Sequence, residues 1–274
     1  MKRLFIFPII IFTFCFSESI LAVESFHDLV PIDSKIALLP WEKVDRVVPR
    51  KAIFTIVDIE SGLTFHVQRR AGSHHADIQP LTKEDTEVLK DIYKEWSWKR
   101  RAVIVLHEGR TIAASMNGMP HGAGALDNGF NGHFCLHFLN STTHKTPTPD
   151  PAHQLMVLKA GGKLDEYLTT STPENLIEIM MLAINNSDTS ILRRILTTEL
   201  TDKEYDSLSR LTVSKWTFHE SDTSPYVHHH QGKVEIYIKD TGVIHTSIKI
   251  TAKKNPISNR WELETPSLLQ IANH

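Results

Sequence analysis

A chain of 274 residues with 41% apolar and 23% charged content can bury a sizeable core and hold more than one domain. Its formal net charge of -2 gives no electrostatic pull toward nucleic acid or an anionic membrane, which sets both aside as principal partners.

The N-terminus carries Lys2 and Arg3, then the apolar run LFIFPIIIFTFCF, then a short polar stretch ending at Leu21 and Ala22. This pattern predicts a signal peptide over residues 1–22, with cleavage after Ala22 and no stable membrane span afterwards; an uncleaved anchor is the alternative. Export across the inner membrane to the periplasm or cell wall follows. Cys15 leaves with the signal, so Cys135 becomes a lone thiol in an oxidising compartment, reactive or else buried and inert.

Residues 23–50 contain Pro31, Pro40 and Pro49 with little periodicity, which predicts an extended lead-in. AIFTIVDIE, GLTFHVQRR and AVIVLHEG are short β-branched runs, and Ser61-Gly62 supplies the turn that makes the first two a hairpin. A helix follows the second strand, capped by Thr82 with Asp85 three residues on, and with Leu89, Ile92, Tyr93 and Trp96 on one face. His74, His75 and Asp77 in AGSHHAD read either as turn residues or as a group able to orient an imidazole or bind metal. Trp96, Trp98, Lys99, Arg100 and Arg101 could line a groove for glycan or carboxylates, or simply end the helix.

TIAASMNGMPHG is a strand running into a Gly-rich loop, and GHFCLHFLN is the next strand. Period-two alternation puts His133, Cys135 and His137 on one face and Phe134, Leu136 and Phe138 on the other. The apolar set goes to the core, and the His-Cys-His set to a cleft. A thiol nucleophile needs an imidazole to hold it as thiolate and amide hydrogens for the oxyanion. His121 on the loop can reach Cys135, and His133 and His137 flank it. The same His-x-Cys-x-His set, with His121 or His144, could instead furnish four ligands to zinc.

After the proline-rich HKTPTPDP, HQLMVLKAGGK predicts a helix ending at Gly161-Gly162, and Thr172-Pro173 opens a further two or three helices. SKWTFHE, KVEIYIKD, GVIHTSIKITAKK and RWELETP then read as strands. His228, His229 and His230 fall between them as an exposed loop with incidental metal affinity at most. The domains expected are therefore 1–22, a cysteine domain over 23–165, and an α+β accessory domain over 170–274.

GHFCLHFLN resembles the signature of the L,D-transpeptidase (YkuD-like) catalytic domain, Ser-His-Gly-Cys-x-Arg-Met/Leu-x-Asn preceded by a His-Gly pair. His133, Cys135 and Asn140 match, and His121-Gly122 supplies the pair. Gly132, Phe134 and His137 stand where the family has Ser, Gly and Arg. The resemblance spans roughly residues 50–150 and implies a mostly β domain with a mixed-sheet sandwich. It implies Cys135 as acylated nucleophile, His121 as base and His133 as support, with His137 in the arginine's place. Gly122, Phe134, Asn117 and Asn140 then lie on the substrate side. The implied activity is cysteine-dependent acyl transfer or hydrolysis on peptidoglycan stem peptides, without cofactor or metal. A non-catalytic peptidoglycan-binding module and a zinc-dependent hydrolase are the alternatives. The C-terminal pattern resembles NTF2-like or cystatin-like cones, which implies a ligand or protein partner there.

Overall fold

The computed structural model describes residues 35–143, 146–238, 241–265 and 268–269; the expected signal peptide and His144 lie outside them. Two sheets organise the chain. β1 (Ile53–Asp58), β2 (Thr64–Ala71), β3 (Ala76–Pro80), β4 (Arg101–His107), β5 (Arg110–Met116) and β6 (Phe134–His137) close into a barrel of order β1-β2-β3-β6-β5-β4. Every pairing between these strands is antiparallel, so the sheet is a closed barrel and not the expected mixed-sheet sandwich.

Alternation decides what fills it. Phe54, Ile56, Val103, Val105, Phe134 and Leu136 belong to the interior cluster. Val57, Ala102, Ile104 and Ala113, pointing the other way from the same strands, join a second cluster that continues into the C-terminal helices and sheet. β4 reads as the unbroken apolar run AVIVL because both of its faces are covered.

α1 (Trp41–Val47) interrupts the lead-in, which the prolines had suggested was extended throughout. Pro40 offers no side-chain cap, and only Trp41 and Val44 are buried, so the helix is set by tertiary contact more than by local signal. Trp41 donates from Nε1 to the Ser73 carbonyl at 2.8 Å and stacks on Phe138. α2 (Lys83–Tyr93) has the full capping box from Thr82 and Asp85, and Asp85 also accepts from the His66 amide at 2.7 Å, fastening the helix to β2.

α3 (Pro151–Ala160), capped by Asp150, packs across β4 and β5. α4 (Leu164–Thr170), α5 (Pro173–Asn186), α6 (Thr189–Ile195) and α7 (Asp202–Ser209) follow, and then β7 (Leu211–Thr223), β8 (Val227–Ile238), β9 (Gly242–Lys254) and β10 (Trp261–Leu263) form an antiparallel sheet of order β10-β9-β8-β7. His228, His229 and His230 lie within β8, because β7 and β8 extend further than their apolar segments. Asp77 lies within β3, a strand hidden behind the polar AGSHHAD. No helix among the described residues is long and apolar enough to cross a membrane.

Asp58 is fully buried at the end of β1 and receives two hydrogen bonds from Arg101 of β4, at 2.8 and 2.7 Å, plus the Ser61 amide and hydroxyl. Removing it leaves a partly buried guanidinium without its main partner. Asp58→Ala should therefore lower thermal unfolding stability by about 3–5 kcal/mol, whereas Asp206→Ala, which breaks the exposed pair with Arg210, should cost under about 1 kcal/mol. Equal losses would contradict this account of barrel closure.

Candidate active site

Cys135 lies on β6 directly opposite Asp77 on β3. Residues facing each other across an antiparallel pair share a side. Since Phe134 and Leu136 occupy the interior, thiol and carboxylate both emerge on the barrel's outer wall. They do not enter the open cleft expected from the sequence: Cys135 is 5% exposed and His137 2%. The cover comes partly from α3, whose His153 stacks on His137 at 3.7 Å between ring centres.

His121 reaches the sulfur from the loop after β5. Its amide donates to the His133 carbonyl at 2.9 Å and its carbonyl accepts from the His133 amide at 2.8 Å, a bridge that closes the loop against the start of β6. Two glycines make that approach possible. Gly132 has φ 111°, and a Cβ there would stand 2.5 Å from the His121 carbonyl oxygen; a Cβ on Gly122, at φ 61°, would strike the His133 ring at 2.3 Å. The closed bridge leaves His121 Nε2 at 3.2 Å from Cys135 Sγ.

Three imidazoles share one arrangement. His121 donates from Nδ1 to the Met119 carbonyl at 2.8 Å, His75 to that of Thr142 at 2.8 Å, and His133 to that of Ala123 at 3.0 Å. A carbonyl can only accept, so Nδ1 carries a proton in each ring and Nε2 is the atom turned inward. His121 Nε2 meets the thiol. His75 Nε2 lies 3.3 Å from Asp77 Oδ1, and His133 Nε2 lies 3.8 Å from the same oxygen.

The charges follow from this geometry. Burial pushes the Cys135 thiol up, but hydrogen bonds and charge from His121 and His75 outweigh it and bring the thiol below its ordinary value. The hydrogen bond with Cys135 raises His121 against a smaller opposing effect of burial. His75 is also opposed by burial, yet Asp77 and Cys135 push it up to about 10. The site thus sets the thiol between two imidazoles that favour its ionised form, with Asp77 balancing the positive charge on His75.

His137 has a different setting. It is sandwiched between His75, at 4.4 Å and 11°, and His153, and burial with these two neighbours holds it well below its ordinary value, hence neutral. Its buried Nδ1 makes no hydrogen bond. His75, Cys135 and His137 offer ligand atoms within 4.8 Å of one another and could hold a metal ion; His133 is not in that set.

The remaining sequence candidates are dispersed. The Phe134 ring is fully inside the barrel, so only its backbone faces the site. Asn117 is buried, and its amide donates to the Cys135 carbonyl at 3.3 Å. Asn140, exposed and at φ 61°, lines a separate cavity with Pro151, Gln154 and Tyr167. Of the basic stretch, Arg100 pairs with Asp150 and Arg101 with Asp58, while half-exposed Trp98 stands 5.0 Å from the His121 ring. Sequence reasoning missed His153, and left His75 and Asp77 undecided between a turn and a site. Ala76-Asp77-Ile78 does alternate small-polar-apolar, but the strand is too short for that signal to stand out.

No protein-family model matches the chain, and a search of curated proteins returns no match.

His121→Gln removes a positive partner from the thiolate and should raise the thiol's ionisation point. Iodoacetamide alkylation of Cys135 should then slow by about tenfold or more near pH 7 and recover above about pH 9, where the thiolate forms unaided. His75→Gln should act in the same direction. A pH profile unchanged by His121→Gln would break the pairing.

Proposed function

We propose that the protein is an exported cell-wall enzyme in which Cys135 performs acyl transfer or hydrolysis on peptidoglycan stem peptides, as the resemblance of GHFCLHFLN to the L,D-transpeptidase (YkuD-like) signature implies, on a barrel that departs from that family's mixed-sheet sandwich. One observation carries the reading: the Cys135 sulfur lies 3.2 Å from His121 Nε2, and the other nitrogen of that ring is fixed on the Met119 carbonyl. This is the nucleophile, base and orienting group that covalent catalysis requires.

In the proposed reaction the thiolate attacks the peptide carbonyl carbon, and amide hydrogens near Phe134 and Cys135 hold the oxyanion. Collapse of the intermediate breaks the C–N bond, and the proton on His121 Nε2 goes to the departing amine. A thioester on Cys135 remains. An incoming amine or water then attacks it, loses its proton to the now neutral His121, and releases the thiolate again. An amine gives transpeptidation; water gives carboxypeptidase action.

His137, in the place of the family's arginine, is neutral and cannot supply that cation. His75, pushed up to about 10, supplies a positive charge beside the thiol instead. Recognition of a substrate carboxylate then falls to groups at the mouth near Trp98 and His121. The C-terminal helices and four-stranded sheet support the cone-like accessory reading, with a protein or wall partner.

A second reading rests on its own observation. The orphaned Nδ1 of His137 and the closeness of His75, Cys135 and His137 suit a soft divalent ion, which would occupy the thiolate and make the protein a zinc hydrolase or a metal-blocked thiol.

Incubation with a wall tetrapeptide and, separately, with a carbapenem should add the acyl mass to Cys135 in intact-protein mass spectrometry. Cys135→Ala should abolish the adduct while the protein remains folded. A folded, metal-free protein that acquires no adduct from either reagent would favour the non-catalytic wall-binding module.

A further inference from the structure

Far along the chain from Cys135, the first turn of α5 meets the β7–β8 hairpin, and four side chains with ligand chemistry converge. Glu220 on β7 sits directly opposite His230 on β8, and a register shift between Glu220 and Asp222 twists β7 at that point. His228 and His230 are two residues apart on one strand and therefore share a face. Glu174, in the first turn of α5, comes down on that face. The ligand atoms of Glu174, Glu220, His228 and His230 all lie within 4.8 Å of one another.

His228 Nδ1 is 2.7 Å from Glu220 Oε1, and His230 Nε2 is 3.8 Å from Glu174 Oε1. The His230 side chain is 1% exposed, and its Nε2 has no hydrogen-bond partner. A buried nitrogen left unpaired is destabilising unless something occupies it. Glu174 lies too far to accept a hydrogen bond but near enough to share a ligand. A cavity of about 200 Å³ opens at this spot, lined by Glu174, Glu220, His230, Trp216, Phe218 and Ile177.

The geometry points to a second site: Glu174, Glu220, His228 and His230 form a binding site for a divalent transition-metal ion, zinc above all, that staples α5 to the β7–β8 hairpin. Two carboxylates offset a +2 ion and, with two imidazole nitrogens, offer a mixed nitrogen and oxygen set, which suits zinc better than calcium or magnesium. Tetrahedral zinc with bonds of about 2.0–2.1 Å needs ligand atoms about 3.3 Å apart. The ligand atoms, all within 4.8 Å of one another, can close to that spacing by side-chain rotation, and Glu174 and Glu220 lie on exposed rims. Four protein ligands fill the coordination shell, so the ion is structural, and it is independent of the thiol chemistry on the barrel.

The test uses the full chain with Cys135→Ser, which removes the thiol from the other cluster, titrated with zinc chloride by calorimetry and with cobalt(II) by visible spectroscopy. Expected are one equivalent of zinc bound at micromolar or tighter affinity, a cobalt spectrum of tetrahedral intensity without a thiolate charge-transfer band, and a rise in melting temperature with zinc. Glu220→Gln and His228→Gln, both at partly exposed positions, should each weaken zinc by about tenfold or more and abolish the melting shift, with the metal-free melting temperature retained. Glu174→Gln, on the exposed start of α5, gives the same readout if a strand variant fails to fold. No one-to-one binding below millimolar zinc, or affinity within about threefold of the parent in any folded variant, would overturn the assignment.

Discussion

β6 is held from both edges and from beneath. β3 and β5 pair with it on either side, and Phe134, Leu136 and Phe138 anchor it in the barrel interior. A one-residue slip would drive Cys135 and His137 into the apolar interior and expel the aromatics, so the register is fixed by hydrophobic burial. That register sets Asp77 opposite Cys135, and everything polar in the site is arranged around these two positions.

Burying a thiolate is unfavourable unless charge and hydrogen bonds compensate it. Here the compensation comes from the peptide backbone at one remove. Met119, Thr142 and Ala123 each fix a ring through Nδ1, so His121, His75 and His133 spend little orientational freedom in presenting Nε2 to Cys135 or Asp77. His137 and His153 stack behind His75 and stay neutral, giving the cationic ring an aromatic backing without added charge. A site of this kind is preorganised by rigid strands and one bridged loop.

Much of this was legible in the sequence, and the rest was hidden for identifiable reasons. GHFCLHFLN alternates strictly enough to separate Phe134 and Leu136 from Cys135, and Thr82 with Asp85 marks its helix unmistakably. Barrel closure was not legible, because it depends on β1 meeting β4 across long separation, a pairing that no local pattern announces. His75 and Asp77 lay in a stretch whose histidines and glycine resemble turn chemistry, although Asp77 proves to be in a fully buried strand. His228 to His230 suggested a loop because three consecutive polar rings mask alternation; only one of them, His230, is turned fully inward. The covering of the His-Cys-His face comes from α3, whose docking on β4 and β5 is tertiary.

The pull of His121 and His75 on the Cys135 thiol is the effect on which the site's chemistry depends. It is tested most directly by titrating the ultraviolet absorbance of the thiolate with pH, as the difference between the full chain and its Cys135→Ser variant. A thiol lowered by two imidazole partners should ionise with a midpoint clearly below the free-cysteine value of about 8.5. A midpoint at or above that value would show that burial prevails over the two rings, and their assistance to the thiol would be contradicted.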